Sequence, residues 1–169
     1  MTSKSIRRAT DEDVPVLTQI RNDAHAKKVE YGDYVWGKEG DGFSGQWVRN
    51  NVAQKEVYVV EQAGTPVGAF SLDLDDEPHW GHQEPIAVYV HGLCVRKGFN
   101  GQGVGSFILD GCAGRANDLN RRFVRLDCAI QNTKLCAYYE SLGFIRVGLK
   151  DDGYVWSLYE RSANRRPIA

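Results

Sequence analysis

Between Leu93 and Ser106 the chain passes from an apolar stretch through Gly98, Gly101, Gly103 and Gly105 and directly into a helical pattern, with Val104, Ile108, Cys112, Ala116 and Leu119 on one side. A strand, a glycine-rich turn and a helix start, in that order, restrict the fold more than any other feature. Glycines let successive backbone N–H groups face one point, and the first turn of a helix adds partial positive charge. Such a turn suits a phosphate or diphosphate. It is not a P-loop, because the run ends Gly105-Ser106 with no lysine before the hydroxyl residue. The dinucleotide fingerprint G-x-G-x-x-G also fails: from Gly101 it meets Ser106, from Gly98 it meets Asn100, and from Gly103 it meets Ile108, each where a glycine is required. A purely structural glycine turn is the plain alternative.

With 169 residues, 42% hydrophobic and 25% charged, the chain is sized and composed for one globular domain spanning residues 1–169. A net charge of −1 argues against a strongly basic nucleic-acid binder, so no nucleic-acid partner is expected. No run approaches the ~20 apolar residues of a membrane span. Met1 to Arg8 lacks the apolar core of a signal peptide, so a cytoplasmic protein without a membrane partner is expected. Cys94, Cys112, Cys128 and Cys136 are widely spaced, and each sits in an apolar pattern, which reads as buried thiols in a reducing compartment.

Periodicity places a short strand at Ser5–Ala9 and a helix opened by Thr10, whose hydroxyl caps it ahead of three acids. Val14, Leu17, Ile20 and Ala24 form its buried face. Tyr31 to Phe43 is irregular and aromatic, and Ser44–Ala53 is a second helix. Strands follow at Glu56–Gln62 and Val67–Leu74, joined by a turn at Ala63-Gly64-Thr65-Pro66. Asp76 to Pro85 is a polar excursion before the most apolar strand, Ile86–Val95. After the glycine loop and its helix come a strand at Phe123–Ala129, a helix at Thr133–Leu142 closed by Gly143, and a hairpin of Phe144–Leu149 and Tyr154–Tyr159 around Asp151-Asp152-Gly153. The tail 161–169 reads as frayed and flexible.

Asn100-Gly101-Gln102-Gly103-Val104-Gly105 resembles the acyl-CoA diphosphate loop of the GNAT N-acetyltransferase superfamily, [Q/R]-x-x-G-x-[G/A], with Asn100 in place of the usual Gln or Arg. Asn132 to Phe144 resembles that family's second signature, N-x-x-x-x-x-[FY]-Y-x-x-x-G-F, and the element order agrees over roughly residues 4 to 160. The resemblance implies an α/β (α+β) fold: a mixed, mostly antiparallel sheet with a central splayed strand pair and helices on both faces. It also implies an acyltransferase using acetyl-CoA as co-substrate to acetylate a primary amine, with a small molecule as the expected acceptor. The alternatives are a non-catalytic acyl-CoA sensor and an enzyme for protein or peptide amines.

By the same resemblance, Asn100, Gly101, Gln102, Gly103, Val104, Gly105 and Ser106 would hold the diphosphate. Leu93, Cys94 and Val95 would pair with the pantetheine arm through the main chain. Gly92 is the expected bulge, and a backbone N–H near Cys94 or Val95 would polarise the acetyl carbonyl. Tyr139 is the candidate acid for the departing thiolate, since a phenol is protonated at pH 7; Tyr138 reads as packing. Asn132 either caps its helix or contacts the coenzyme arm. His91 is the first candidate base and Glu84 the second, with a water chain as the alternative. Packing and solvated-surface readings stay open for all of these. Tyr31, Tyr34, Trp36 and Trp80 are candidate acceptor walls. His79-x-x-His82 is too sparse to indicate a metal, and none is expected. A homodimer is common among such folds by analogy only.

Overall fold

The computed structural model describes residues 3–164. It contains two compact units, residues 3–72 with 91–108, and residues 73–90 with 109–164.

In the first unit β1 (Lys4–Arg8), β2 (Glu56–Gln62) and β3 (Thr65–Asp73) form an antiparallel meander, with Ile6 opposite Val60 and Val59 opposite Ala69. The β2–β3 turn is tighter than the four-residue turn expected. Ala63 and Gly64 alone make it, both at positive φ (51° and 79°), as a two-residue hairpin of matching twist requires. Thr65 and Pro66 already belong to β3, and Pro66 is accommodated at a register shift between Val60 and Glu61.

Helix α1 (Val14–Glu30) follows a 3-10 turn at Asp11–Asp13. Thr10 is the N-cap of that turn, as expected, in a capping box with Asp13. The Asp13 carboxylate accepts from the Thr10 backbone N–H at 2.8 Å, and it also takes two bonds from the Arg7 guanidinium, each 2.8 Å. Val14, Leu17 and Ile20 are buried as their spacing implies, but the next turn buries His25 rather than Ala24. His25 Nε2 lies 3.0 Å from Gly37 O. Helix α2 (Gly45–Gln54) is capped by Ser44, whose Oγ accepts from Trp47 N at 3.0 Å. Val14, Leu17, Val48, Val57, Val59 and Ala69 form the core beneath these two helices.

The second unit holds α3 (Glu77–Trp80), β5 (Phe123–Ala129), α5 (Thr133–Ser141), β6 (Ile145–Asp151) and β7 (Val155–Ser162). The polar excursion thus contains one helical turn, α3, absent from the expected order. Strand β4 (Ala87–Val95) and helix α4 (Val104–Asp118) each give residues to both units. The first half of β4 pairs in parallel with β5 over only three residues, Ala87–Tyr89 against Phe123–Arg125. The β1–β2, β2–β3, β5–β7 and β6–β7 pairs are antiparallel, and the hydrogen-bonded order is β1-β2-β3-β4 and then β4-β5-β7-β6. The mixed, mostly antiparallel α/β architecture is the one expected.

The tail begins later than expected. Arg161 and Ser162 complete β7, because Arg161 is buried and donates to Leu142 O (3.0 Å) and Leu109 O (3.3 Å). The rest of the expected tail, 165–169, lies outside the described residues. Among the described residues all four cysteines are buried thiols, and no helix is long and apolar enough to cross a membrane.

Candidate active site

The glycine loop is fixed at its start by Arg96, whose backbone N–H donates to Val67 O (2.8 Å) and whose guanidinium donates to Pro66 O (3.0 Å). Gly98, Gly101 and Gly103 take φ values of 94°, 78° and 78°, and a Cβ placed on any of them would meet no atom within 4 Å. Backbone conformation, not packing, therefore demands glycine here. The space over these three residues stays open to a ligand. Phe107 N–H bonds to Gly103 O at 3.0 Å. Among the described residues the N–H groups of 104–106 carry no backbone bond, as the first turn of any helix leaves them. Asn100, Gly101, Gln102 and Gly103 are exposed, whereas Val104 and Gly105 are buried under them. This arrangement can bind an anion through main-chain donors and the helix dipole.

The strand leading into the loop carries His91, Gly92, Leu93 and Val95 half-buried and Cys94 buried. His91 O accepts from Ser71 Oγ at 3.4 Å. Gly92, the expected bulge, has φ +59°. The Cys94 thiol donates to Gly92 O at 3.3 Å, and burial pushes it up to about 11, against the pull of Arg21 and Lys28. It therefore stays a thiol at neutral pH and is no nucleophile.

Arg21, on α1, was not among the candidate residues. Its guanidinium carbon lies 4.3 Å from the Trp36 ring centroid, 4.3 Å from that of Phe43 and 4.6 Å from that of Trp47. A Cβ on Gly92 would stand 2.6 Å from Arg21 Nη1, so the missing side chain on β4 is what admits the guanidinium. Burial lowers the Arg21 pKa from its ordinary value, yet a guanidinium keeps its charge in a protein. Its buried Nε–H has no hydrogen-bond acceptor. A cavity of about 30 Å³ lies beside it, bordered by Trp47, Asn51, Ser71, Gly92 and Cys94 among others. Of the expected acceptor walls, Trp36 belongs to this aromatic box. Tyr34 lines a wider open cleft of about 740 Å³ beside Asn22, His25 and Phe43, and Tyr31 is exposed.

In the second unit Asn132 caps α5, its Oδ1 accepting from Leu135 N at 3.1 Å. Asn132, Cys136 and Tyr139 form the buried side of that helix. Tyr139 is 6% exposed, with its ring among those of Tyr138, Phe144 and Tyr159. Tyr138, read as a packing residue, is 38% exposed, because the buried side turns through 132, 136 and 139 instead. Glu84 is exposed, and its carbonyl accepts from Ile86 N. Trp80 lies not in the aromatic box but against Tyr89 and Arg125.

His79 and His82 do not converge on one point. His79 Nδ1 is 3.0 Å from Asp76 Oδ1 and 3.8 Å from Asp127 Oδ2, whereas His82 is exposed near Glu77. The hydrogen bond to Asp76 raises the His79 pKa, and the ring stands between the carboxylates of Asp76 and Asp127. The sequence signal for this group was only the one-turn spacing of Asp76 and His79; Asp127 comes from a distant strand.

Over residues 17–144 the sequence matches the profile described as the acetyltransferase (GNAT) family. It is 32% identical over 74 residues to an uncharacterized N-acetyltransferase, YesJ of Bacillus subtilis (strain 168), a match that takes in 44% of this chain and spans only 40% of that relative's length. The fold is similar to a GNAT-family acetyltransferase of Listeria monocytogenes 4b F2365, with TM-score 0.74, 23% identity and 94% of each chain covered. It is also similar to yncA of Salmonella typhimurium, solved with its cofactor acetyl-CoA, with TM-score 0.67, 17% identity and coverage of 98% of this chain and 96% of that one.

Proposed function

Because the chain belongs to the acetyltransferase (GNAT) family and is an acyltransferase, we propose that, as a single catalytic domain, it moves the acetyl group of acetyl-CoA onto the nitrogen of a small primary amine. The observation that carries this reading is the loop 98–106, with three positive-φ glycines open to solvent and unbonded N–H groups at the start of α4. These residues fit a diphosphate: the donors are main-chain, the dipole is favourable, and no Cβ fills the cradle.

Acetyl-CoA supplies a thioester whose C–S bond is exchanged for an amide C–N bond; the amine nitrogen loses one proton and the sulfur gains one. In this reading Asn100 to Ser106 hold the diphosphate, and the main chain of Leu93, Cys94 and Val95 aligns the pantetheine arm. A backbone N–H of Cys94 or Val95 stabilises charge on the acetyl oxygen. Tyr139 gives the proton to sulfur. His91, or Glu84 from the preceding loop, takes the amine proton. Asn132 caps α5 through its Oδ1 and, in this reading, also contacts the coenzyme arm. Four buried thiols, with the Cys128 and Cys136 sulfurs in hydrogen-bond contact at 3.7 Å and not joined as a disulfide, support work in the cytoplasm.

The test is calorimetric titration of CoA into the wild type and Gly103→Asp. The substitution puts a carboxylate and a Cβ into the cradle at φ +78°. Affinity is expected to fall at least about 10-fold, the scale of losing one or two charge-assisted hydrogen bonds. Equal affinity for CoA in a folded variant overturns the loop assignment.

A further inference from the structure

Arg21 is a cation without an anion. Among the described residues no carboxylate bonds to its guanidinium, and the electrostatic influence acting on it comes from the Cys94 thiol rather than from an acid. Three aromatic faces surround it, and its Nε–H is buried without an acceptor. Lys28 adds a second positive group, with Nζ 4.7 Å from the Trp36 centroid, although Lys28 also has Asp33 at 3.4 Å. Buried charges in proteins are ordinarily paired, because the aromatic faces return only part of the lost hydration. A guanidinium cannot shed its proton, so it keeps planar donors ready for a carboxylate.

The position says what such a charge would meet. Nη1 reaches the backbone of β4 at Gly92, next to the Leu93–Val95 segment assigned above to the pantetheine arm. Beside it the cavity of about 30 Å³ has room for a small polar group, not for a whole ligand. The rest of its lining is largely apolar, including Leu17, Ile20, Val57 and Phe70. An anion entering there would meet the guanidinium in low dielectric, where such a pair is strongest.

We propose that the acceptor is an amine that also carries a carboxylate, an amino-acid-like molecule, and that Arg21 binds its anionic end beside Gly92. This rests on the acetyl-transfer reading and narrows it. Arg21 is then the residue that selects the substrate class: it holds the carboxylate while the amine faces the acetyl group. A peptide amine, whose neighbouring carbonyl is a neutral amide, would leave the guanidinium unpaired and be disfavoured.

The experiment compares the L-amino acids with their carboxamides as acceptors, at saturating acetyl-CoA, in the wild type, Arg21→Gln and Arg21→Lys. Thiol release gives kcat/KM. Calorimetry of the same compounds on CoA-loaded protein gives binding without turnover. In the wild type at least one amino acid is expected to exceed its carboxamide at least about 10-fold in kcat/KM and in affinity, chiefly through KM. Arg21→Gln should abolish the difference, and Arg21→Lys should restore part of it. Equal use of acid and amide by the wild type, a preference for amides, or equal loss on both in folded Arg21→Gln overturns the proposal while leaving acetyl transfer standing. Should CoA bind but no acid bind better than its amide, the carboxylate assignment fails on binding alone. Failure to bind CoA at all would instead sink the loop assignment, and acid-over-amide binding to the protein without CoA would still decide the role of Arg21. Should Arg21→Gln not fold, the wild-type comparison of acid and amide decides by itself.

Discussion

Arg21 in the first unit and Arg125 in the second both lie among aromatic rings, and the chain treats their charges differently. Arg125 is 5% exposed, with Trp80 at 4.7 Å, but its Nε donates to Glu160 Oε2 at 2.8 Å and its Nη1 to Tyr89 OH at 2.8 Å. Arg21 has rings as close or closer and no acid. A guanidinium in the interior of a fold is tolerable when an anion and a hydroxyl satisfy it, and that is the condition of a structural residue. A guanidinium left open beside a cavity is a standing cost that the folded chain retains, and such costs concentrate where a ligand binds.

The largest test of this contrast is stability without ligand. Arg125→Met should cost about 3–5 kcal/mol, because it strands Glu160 and Tyr89 in a low dielectric. Arg21→Met should stay within about 1 kcal/mol of the wild type or stabilise it, because it removes an unpaired charge and keeps an apolar stem against the rings. Chemical denaturation of both variants measures this, and similar losses would erase the distinction. Next in size is Gly92→Ala. It places a side chain at φ +59° and drives a Cβ into Arg21, so a loss of about 1–2 kcal/mol is expected from conformation alone, with the contact added. In an Arg21→Ala background only the conformational part should survive. A double-mutant cycle should therefore return a coupling of about 0.5 kcal/mol or more.

The smallest effect concerns a cation that pH can switch off. His79 is raised by Asp76, so its stabilising contribution is complete below its ordinary pKa of about 6.5 and fades as pH rises through the raised value in the fold. Asp76→Asn should thus cost about 1 kcal/mol near pH 5.5 and much less near pH 9. Denaturation midpoints at the two pH values check it; an equal loss at both would mean that Asp76 acts only as the N-cap of α3, where its carboxylate accepts from His79 N.

Much of this was legible in the sequence because it is local. The strands read at Glu56–Gln62 and Phe123–Ala129 have those bounds in the structure, and the glycine spacing located a loop whose positive-φ residues only glycine suits. Ser44 was placed one residue from the helix it caps. What stayed hidden depends on partners far along the chain. Arg21 sits beside Ile20 on the α1 face that also carries Leu17, but its meaning comes from Trp36, Phe43, Trp47 and a bare Cα on β4. For Arg161 and Ser162 the frayed-tail reading failed because the polar composition of Arg161 hides the carbonyls of Leu142 and Leu109 that receive it. Thr10 was legible as a cap, a hydroxyl ahead of acids, but nothing local shows that Arg7 would also hold Asp13 in place.

The bare Cα at Gly92 also has a historical reading. As long as an arginine fills position 21, a Cβ at 92 would stand 2.6 Å from its Nη1 and the guanidinium has to move, whereas a shorter residue at 21 leaves only the cost of the positive φ. The two sites therefore do not drift independently, and the less costly order of change is helix first and strand second. A lineage that once replaced the arginine and then acquired a side chain at 92 would find the way back obstructed, so a change of acceptor by this route would be hard to reverse.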